Sequence, residues 1–113
     1  LYGTNFITRT NHAVDLVKDV DSRGFMVNVD MGTVIENDEK IDYVMDHIEA
    51  VNHIHISEPN LLPIREREIY GTLARALAQV GYEKYVSLEM KHTGICDDAR
   101  RCAEYIKGVF NAV

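Results

Sequence analysis

Three side chains that can bind a divalent metal ion stand at or near the ends of short apolar segments. They are Asp30, His55 and Glu89. Carboxylate oxygens and imidazole nitrogens are ligands for ions such as zinc, manganese and magnesium. The pattern therefore predicts a metal site formed by these three residues, provided that the fold brings the three segment ends together. The segments are 25–30, 51–59 and 84–89.

Each of the three segments alternates between apolar and polar residues, which is typical of β-strands. Successive side chains of a strand point to opposite faces, so each strand has an apolar face for packing and a polar face. Pro59 ends the second strand because it has no backbone N–H to donate. One common face is expected to carry Met26, Asn28, Asp30, His53, His55, Tyr85, Ser87 and Glu89.

The segments between the strands repeat apolar residues at the spacing of amphipathic helices. We expect helices at 10–20, from Asn37 or Asp38 to Ile48, at 66–80, and from Asp97 onward. Gly32 is expected to permit a sharp change of direction after Asp30, and Gly81 to end the third helix in a left-handed conformation.

The predicted order alternates helix and strand without exception, which indicates parallel strands joined by right-handed crossovers. Strands with one polar face do not fit a doubly wound sheet, whose strands are apolar on both faces. They fit a barrel wall, where one face meets the helices and the other lines the interior. We therefore predict an α/β fold, residues 1–113 forming one unit: the carboxyl-terminal part of a TIM barrel, with three strands and four helices. A complete barrel has eight strands and about 250 residues, and its active site lies at the carboxyl ends of the strands.

Composition excludes several classes of function. The net charge of −6 over 113 residues gives little electrostatic support for binding nucleic acid. No run of about 18 apolar residues and no signal-peptide pattern is present, so we expect a cytoplasmic protein with no membrane association. Cys96 and Cys102 lack the spacing of a thiolate zinc site or a disulfide framework.

With these motifs in place, the chain resembles the xylose isomerase-like barrel superfamily, in particular its sugar phosphate isomerases and epimerases. The resemblance covers about residues 2–91 and rests on VNVD (27–30), HIHISE (53–58) and GYEKYVSLEM (81–90). It implies a divalent ion, commonly manganese, magnesium, zinc or cobalt, held by a glutamate, an aspartate, a histidine and a second glutamate on four successive strands. Asp30, His55 and Glu89 match the last three. The first glutamate would precede Leu1, and residues 2–6 read like a loop that follows a strand.

The resemblance implies a sugar or sugar phosphate as substrate and proton transfer through an enediolate. The metal ion would act as a Lewis acid, and Glu89 would be one of two glutamates that exchange the proton. Because the other glutamate is not in these 113 residues, we expect the isolated chain to bind metal weakly and to turn over little substrate.

Two departures from the family bear on the substrate. Thr33 stands where the family often has a substrate-binding histidine, and Leu61 stands where some members have an arginine. The substrate-binding candidates are Arg65, with Arg67 as another source of positive charge, together with Glu58 and His53. Glu58 could instead cap the loop, and His53 could form hydrogen bonds inside the wall.

Two other functions remain open at this stage. One is a catalytically silent barrel fragment or sugar-binding module, and the other is a metal-dependent hydrolase or lyase on the same barrel. Either way, the exposed strand edges predict self-association or pairing with the missing amino-terminal half. The acidic run 36–39 is expected to be a solvated helix start.

Overall fold

A computed structural model describes residues 6–113 and contains a sheet of three parallel strands. The strands are β1 (Val27–Asp30), β2 (Val51–Ile56) and β3 (Tyr85–Leu88), in the spatial order β1-β2-β3. The loop expected at 2–6 lies outside the described residues, apart from Phe6.

Within residues 6–113 five helices accompany the strands, and those between consecutive strands form the crossover connections that parallel neighbours need. They are α1 (Thr10–Val20), α2 (Met31–Glu36), α3 (Ile41–Asp46), α4 (Glu68–Val80) and α5 (Cys96–Asn111), with short 3₁₀ segments at Ile48–Ala50 and Pro59–Leu61. Every helix contributes to one buried core that also contains the apolar face of the sheet. Examples are Val14 of α1, Val34 of α2, Val44 of α3, Leu73 of α4 and Cys102 of α5, packed with Val29 and Ile54 of the strands. The predicted parallel α/β architecture is confirmed.

Several local predictions are also confirmed. Helix α1 has the predicted bounds, and α4 ends at Gly81, whose φ of 68° is the left-handed conformation that glycine adopts without strain. Helices α4 and α5 begin within two residues of the predicted positions. Local spacing and capping residues are therefore reliable guides in these parts of the chain.

The predicted strict alternation of helix and strand is wrong between β1 and β2, where two helices follow one another. Gly32 lies inside α2 rather than at a turn. The first N–H groups of a helix lack intrahelical partners, and here the Gly32 N–H donates to Ser57 Oγ at 2.9 Å. Ser57, which follows β2, thus satisfies an N–H at the start of α2. The local sequence does not indicate that a helix begins there. The second predicted helix, expected from residue 37 or 38 to Ile48, is shorter than predicted and extends from Ile41 to Asp46.

The register of the sheet places the predicted polar residues side by side. Asn28 pairs with His53 and Asp30 with His55, while on the other side of β2 His53 pairs with Tyr85 and His55 with Ser87. The register shifts between Val27 and Asn28. Val51, which pairs with Val27, lies in the buried core and not on the polar face that carries His53 and His55. The polar face therefore begins at His53 and continues to the carboxyl end of β2.

The acidic run 36–39 differs from the expected solvated helix start. The Glu39 carboxylate accepts hydrogen bonds from the N–H of Thr10 at 3.0 Å and from its hydroxyl at 2.6 Å. Asn37 Nδ2 donates to the carbonyl of Thr8 at 2.9 Å. The run therefore fastens the loop after α2 to the amino end of α1.

Within residues 6–113, no helix combines the length and apolar character that crossing a bilayer requires. The cytoplasmic location stays a prediction from the sequence.

Candidate functional site

His55 and Glu89 meet at the carboxyl end of the sheet. His55 Nδ1 lies 2.9 Å from Glu89 Oε2, and the two side chains are 27% and 45% exposed. The Glu89 N–H donates to the carbonyl of Ile56 at 2.9 Å, so backbone pairing continues beyond β3 and holds Glu89 next to β2. Two of the three predicted ligands are therefore in contact and accessible to a small molecule.

Asp30 is the residue that pairs with His55 across the β1–β2 register. Its Oδ2 accepts a hydrogen bond from the Thr33 hydroxyl at 2.9 Å. Its Oδ1 accepts a hydrogen bond from the Ser57 hydroxyl. Both oxygens of Asp30 are thus held by hydroxyl groups, one from α2 and one from the residue after β2.

The nitrogen and oxygen atoms of this site are of the kinds that bind a divalent ion, but the described residues do not form a complete set of metal ligands. Among residues 6–113, no three His, Cys, Asp or Glu side chains are arranged to hold a metal ion. An ionised carboxylate has about four lone-pair positions, so the two hydroxyl bonds leave each Asp30 oxygen able to bind an ion. His55 and Glu89 supply a nitrogen and an oxygen in contact with each other. The shared site of Asp30, His55 and Glu89 stays a prediction that this chemistry supports.

His53 lies two residues before His55 on the same face of β2. Its Nε2 is 2.8 Å from the Ser87 hydroxyl oxygen, and its ring meets the ring of His55 edge-on at 4.7 Å between centroids. These contacts give His53 the hydrogen-bonding role that was one of its two predicted roles. Contact with a substrate stays a prediction.

Glu58 is buried, unlike a residue that is accessible to substrate. Its side chain is 1% exposed and its oxygens lie 2.9 and 2.6 Å from Nε of Arg67. The Tyr70 hydroxyl oxygen lies 2.9 Å from both Glu58 Oε2 and the carbonyl of Ser57, so its single proton is shared between these two acceptors. Burial, and then the hydrogen bond to Glu58, raise the pKa of Tyr70 above its ordinary value, so the hydroxyl remains a donor. This placement favours the loop-anchoring role over the predicted substrate contact.

The two arginines of this loop have different surroundings. The Arg67 guanidinium donates to the Glu58 carboxylate, and the Arg67 backbone N–H donates to the Tyr105 hydroxyl at 3.1 Å. Arg65 is 73% exposed, with Nε 3.8 Å from Glu58 Oε1. It lines a cavity of about 450 Å³ that none of the three predicted metal ligands reaches. Arg65 therefore lies near Glu58 rather than beside His55 and Glu89, and its predicted substrate contact is untested. The other cavity-lining residues are Val34, Ile35, Asp38, Glu39, Glu66, Arg67, Glu68 and Ile69.

Sequence reasoning did not find the hydroxyls of Ser57 and Thr33 as partners of Asp30. A signal was present for each residue. Ser57 lies two positions after His55, on the same face of the strand, and Thr33 lies three positions after Asp30, which is one helical turn. Neither signal specifies a partner, because it takes the β1–β2 register to bring Ser57 to Asp30.

Comparison with known proteins identifies the fold. No protein-family model matches the chain, and no curated protein sequence is significantly similar to it. D-psicose 3-epimerase from Clostridium cellulolyticum H10, solved with D-tagatose, matches with a TM-score of 0.77 at 20% identity, over 96% of this chain and 46% of that chain. The 3-keto-D-glucoside 4-epimerase YcjR from E. coli gives 0.78 at 17% identity, over 93% and 41%. A D-allulose 3-epimerase from Methylomonas sp. gives 0.77 at 16% identity, over 94% and 44%.

The chain spans less than half the length of each of these epimerases. At identities of 16–20% the likeness shows the fold. The chain has the fold of a part of the TIM barrel that these sugar epimerases share.

Proposed function

We propose that this chain is part of a divalent-metal-dependent sugar isomerase or epimerase, with Asp30, His55 and Glu89 as ligands of the ion. The observation that carries the proposal is the 2.9 Å contact between His55 Nδ1 and Glu89 Oε2 at the carboxyl ends of barrel strands, where the active sites of such barrels lie. The residue pairing with His55 in the neighbouring strand is Asp30. Manganese, magnesium, zinc and cobalt all fit this set of nitrogen and oxygen donors.

Glu89 is the group that we assign to proton transfer. Its carboxylate would take a proton from the carbon next to the substrate carbonyl, and the electron pair of that C–H bond would form the enediolate. Return of a proton to the other face of the same carbon, by a second acid for which the resemblance implies another glutamate, would give an epimer; return to the neighbouring carbon would give an isomer. The bound ion would supply Lewis-acid stabilisation of the developing negative charge. His55 holds one oxygen of Glu89 in place, while the 45% exposure of the Glu89 side chain leaves room for a sugar.

A keto sugar or its phosphate is the proposed substrate class. The structures with the same fold are named for epimerisation of D-psicose, which is also called D-allulose, and of 3-keto-D-glucosides, and both kinds of sugar carry a ketone. His53 lines the same face as the proposed ligands and is the described residue that we assign to a substrate hydroxyl. We also propose that β1 and β3, which are the edges of this sheet, pair with further strands of the barrel or of a second copy.

Solvent proton exchange tests this function. The full-length protein would be loaded with Mn²⁺ and incubated in D₂O with D-psicose, D-tagatose or a 3-keto-glucoside, and NMR would follow deuterium entry next to the carbonyl. We expect exchange by the wild type and a loss of at least about 100-fold in Glu89→Gln, the scale of an acid/base contribution. Glu83→Gln is the control, since Glu83 is exposed and precedes β3. Wild-type exchange by Glu89→Gln, or no exchange by the wild type on any of these sugars, would contradict the proposal. The 113-residue chain by itself is expected to show little turnover.

A sugar-binding module without catalysis is the second candidate. The absence of a three-ligand cluster among the described residues favours it. Calorimetric titration with Mn²⁺ separates the two candidates, because a silent module would bind the ion equally well before and after Glu89→Gln. An enzyme site would lose affinity.

A further inference from the structure

The Asp30 carboxylate is fixed at both oxygens by two buried hydroxyl groups. Oδ1 accepts from Ser57, which is 0% exposed, and Oδ2 accepts from Thr33, which is 4% exposed. The two donors come from different elements, since Thr33 lies in α2 and Ser57 follows β2. The carboxylate is therefore held against rotation from two directions.

The surroundings of Ser57 determine where its proton goes. A hydroxyl has one proton and two lone pairs, and the Gly32 N–H donates to the Ser57 oxygen at 2.9 Å. Two acceptors are within reach of the proton, namely Asp30 Oδ1 and the carbonyl of His55, which is farther away at 3.4 Å. The hydrogen bond to the charged carboxylate is the stronger of the two. The Gly32 N–H thus orients the Ser57 oxygen, and the Ser57 proton is directed to Asp30.

We propose that Ser57 and Thr33 are positioning residues that hold the Asp30 carboxylate for a divalent ion. This inference rests on the proposed function, in which Asp30 is a ligand. Carboxylates that bind metal ions are themselves hydrogen-bonded in proteins, and loss of such a partner weakens metal affinity by about 10- to 100-fold. A purely structural role, fastening the turn after β1 to the end of β2, would change the stability of the fold and leave ion affinity unchanged.

Mn²⁺ titration of the full-length protein by calorimetry tests the inference, with thermal unfolding of the metal-free protein as the measure of folding. The informative variants are Ser57→Ala and Thr33→Val, because each removes one hydroxyl from Asp30. Thr33→Val keeps the side-chain shape and does not disturb the Gly32 N–H, so it remains informative if Ser57→Ala folds poorly. Thr33→Ser restores the hydroxyl.

Two further variants complete the comparison. Ser87→Ala is the matched control, since its hydroxyl lies on the same face of the sheet but contacts His53. Asp30→Asn reports whether Asp30 binds the ion at all.

We expect Ser57→Ala and Thr33→Val each to weaken Mn²⁺ binding by about 10- to 100-fold, while Thr33→Ser and Ser87→Ala bind nearly as the wild type does. If Asp30→Asn loses affinity but Thr33→Val and Ser57→Ala do not, the positioning role is wrong and the proposed metal site stands. Equal losses in Thr33→Val and Thr33→Ser would also overturn the positioning role. If Asp30→Asn binds Mn²⁺ as the wild type does, the proposed metal site itself is wrong.

Discussion

Nε of Arg67 lies 2.9 and 2.6 Å from the two oxygens of the Glu58 carboxylate, which is buried. Glu58 directly follows Ser57 at the end of β2. The ion pair therefore fixes the chain at the point where the strand that carries His55 leaves the sheet.

Removing the guanidinium of Arg67 is expected to destabilise the fold. Arg67→Met would remove the guanidinium nitrogen that lies 2.6 Å from the buried Glu58 carboxylate, and breaking a buried ion pair costs about 3 to 5 kcal/mol in proteins. Arg67 is itself 27% exposed, so we expect a loss near the lower end of this range, measured by urea unfolding.

Arg65→Met is the control for this experiment. Arg65 approaches the same carboxylate at 3.8 Å but is 73% exposed, and an exposed pair contributes at most about 1 kcal/mol. Equal losses of stability in the two variants would show that the buried pair is not the anchor of this loop.

The stability of the fold is expected to decrease above pH 10 through Tyr70. Burial, and then the hydrogen bond to Glu58, raise the pKa of Tyr70 above its ordinary value of 10.0. The unfolded chain loses this proton near pH 10, whereas the folded chain keeps it, so proton loss favours unfolding. The contribution is fully present below pH 10 and declines as pH rises above that value.

Tyr70→Phe is expected to show a shallower decline of stability between pH 9 and 11 than the wild type, measured by urea unfolding at each pH. At pH 7 the same variant should be less stable by about 1 to 3 kcal/mol, because it leaves acceptors of the buried network without their donor. Tyr85→Phe is the control, since Tyr85 is 74% exposed. An unchanged pH profile in Tyr70→Phe would contradict this account.

The Glu39 carboxylate is expected to stabilise α1, although Glu39 is far from that helix in the sequence. It accepts hydrogen bonds from the N–H and hydroxyl of Thr10, the first residue of the helix. Loss of a helix cap costs about 1 kcal/mol, so Glu39→Ala should lower the free energy of unfolding by about that amount. Glu36→Ala is the control, since Glu36 is exposed in the same acidic run. A similar loss in both variants would argue against capping by Glu39.

The sequence predicted the elements that depend on local spacing. Helix α1 and the glycine cap of α4 follow from residues a few positions apart. The three parallel strands and the common face of His53 and His55 follow from alternation. These features depend on short-range periodicity, which a single sequence contains.

The features that the sequence did not predict depend on contacts between distant residues. Helix α2 has six residues, and its Gly32 N–H is satisfied by Ser57, 25 positions away. Thr10, which donates two hydrogen bonds to Glu39, is 29 positions from it. The sequence left two roles open for Glu58. The structure places Arg67 and Tyr70, which follow it by 9 and 12 positions, at its carboxylate.

A Mn²⁺ anomalous difference map from crystals of the full-length protein tests the central claim most directly. The account predicts one peak about 2.0 to 2.2 Å from a carboxylate oxygen of Asp30, an imidazole nitrogen of His55 and a carboxylate oxygen of Glu89, the distances typical of divalent ions with these ligands. A map with no peak within binding distance of these three side chains would contradict it.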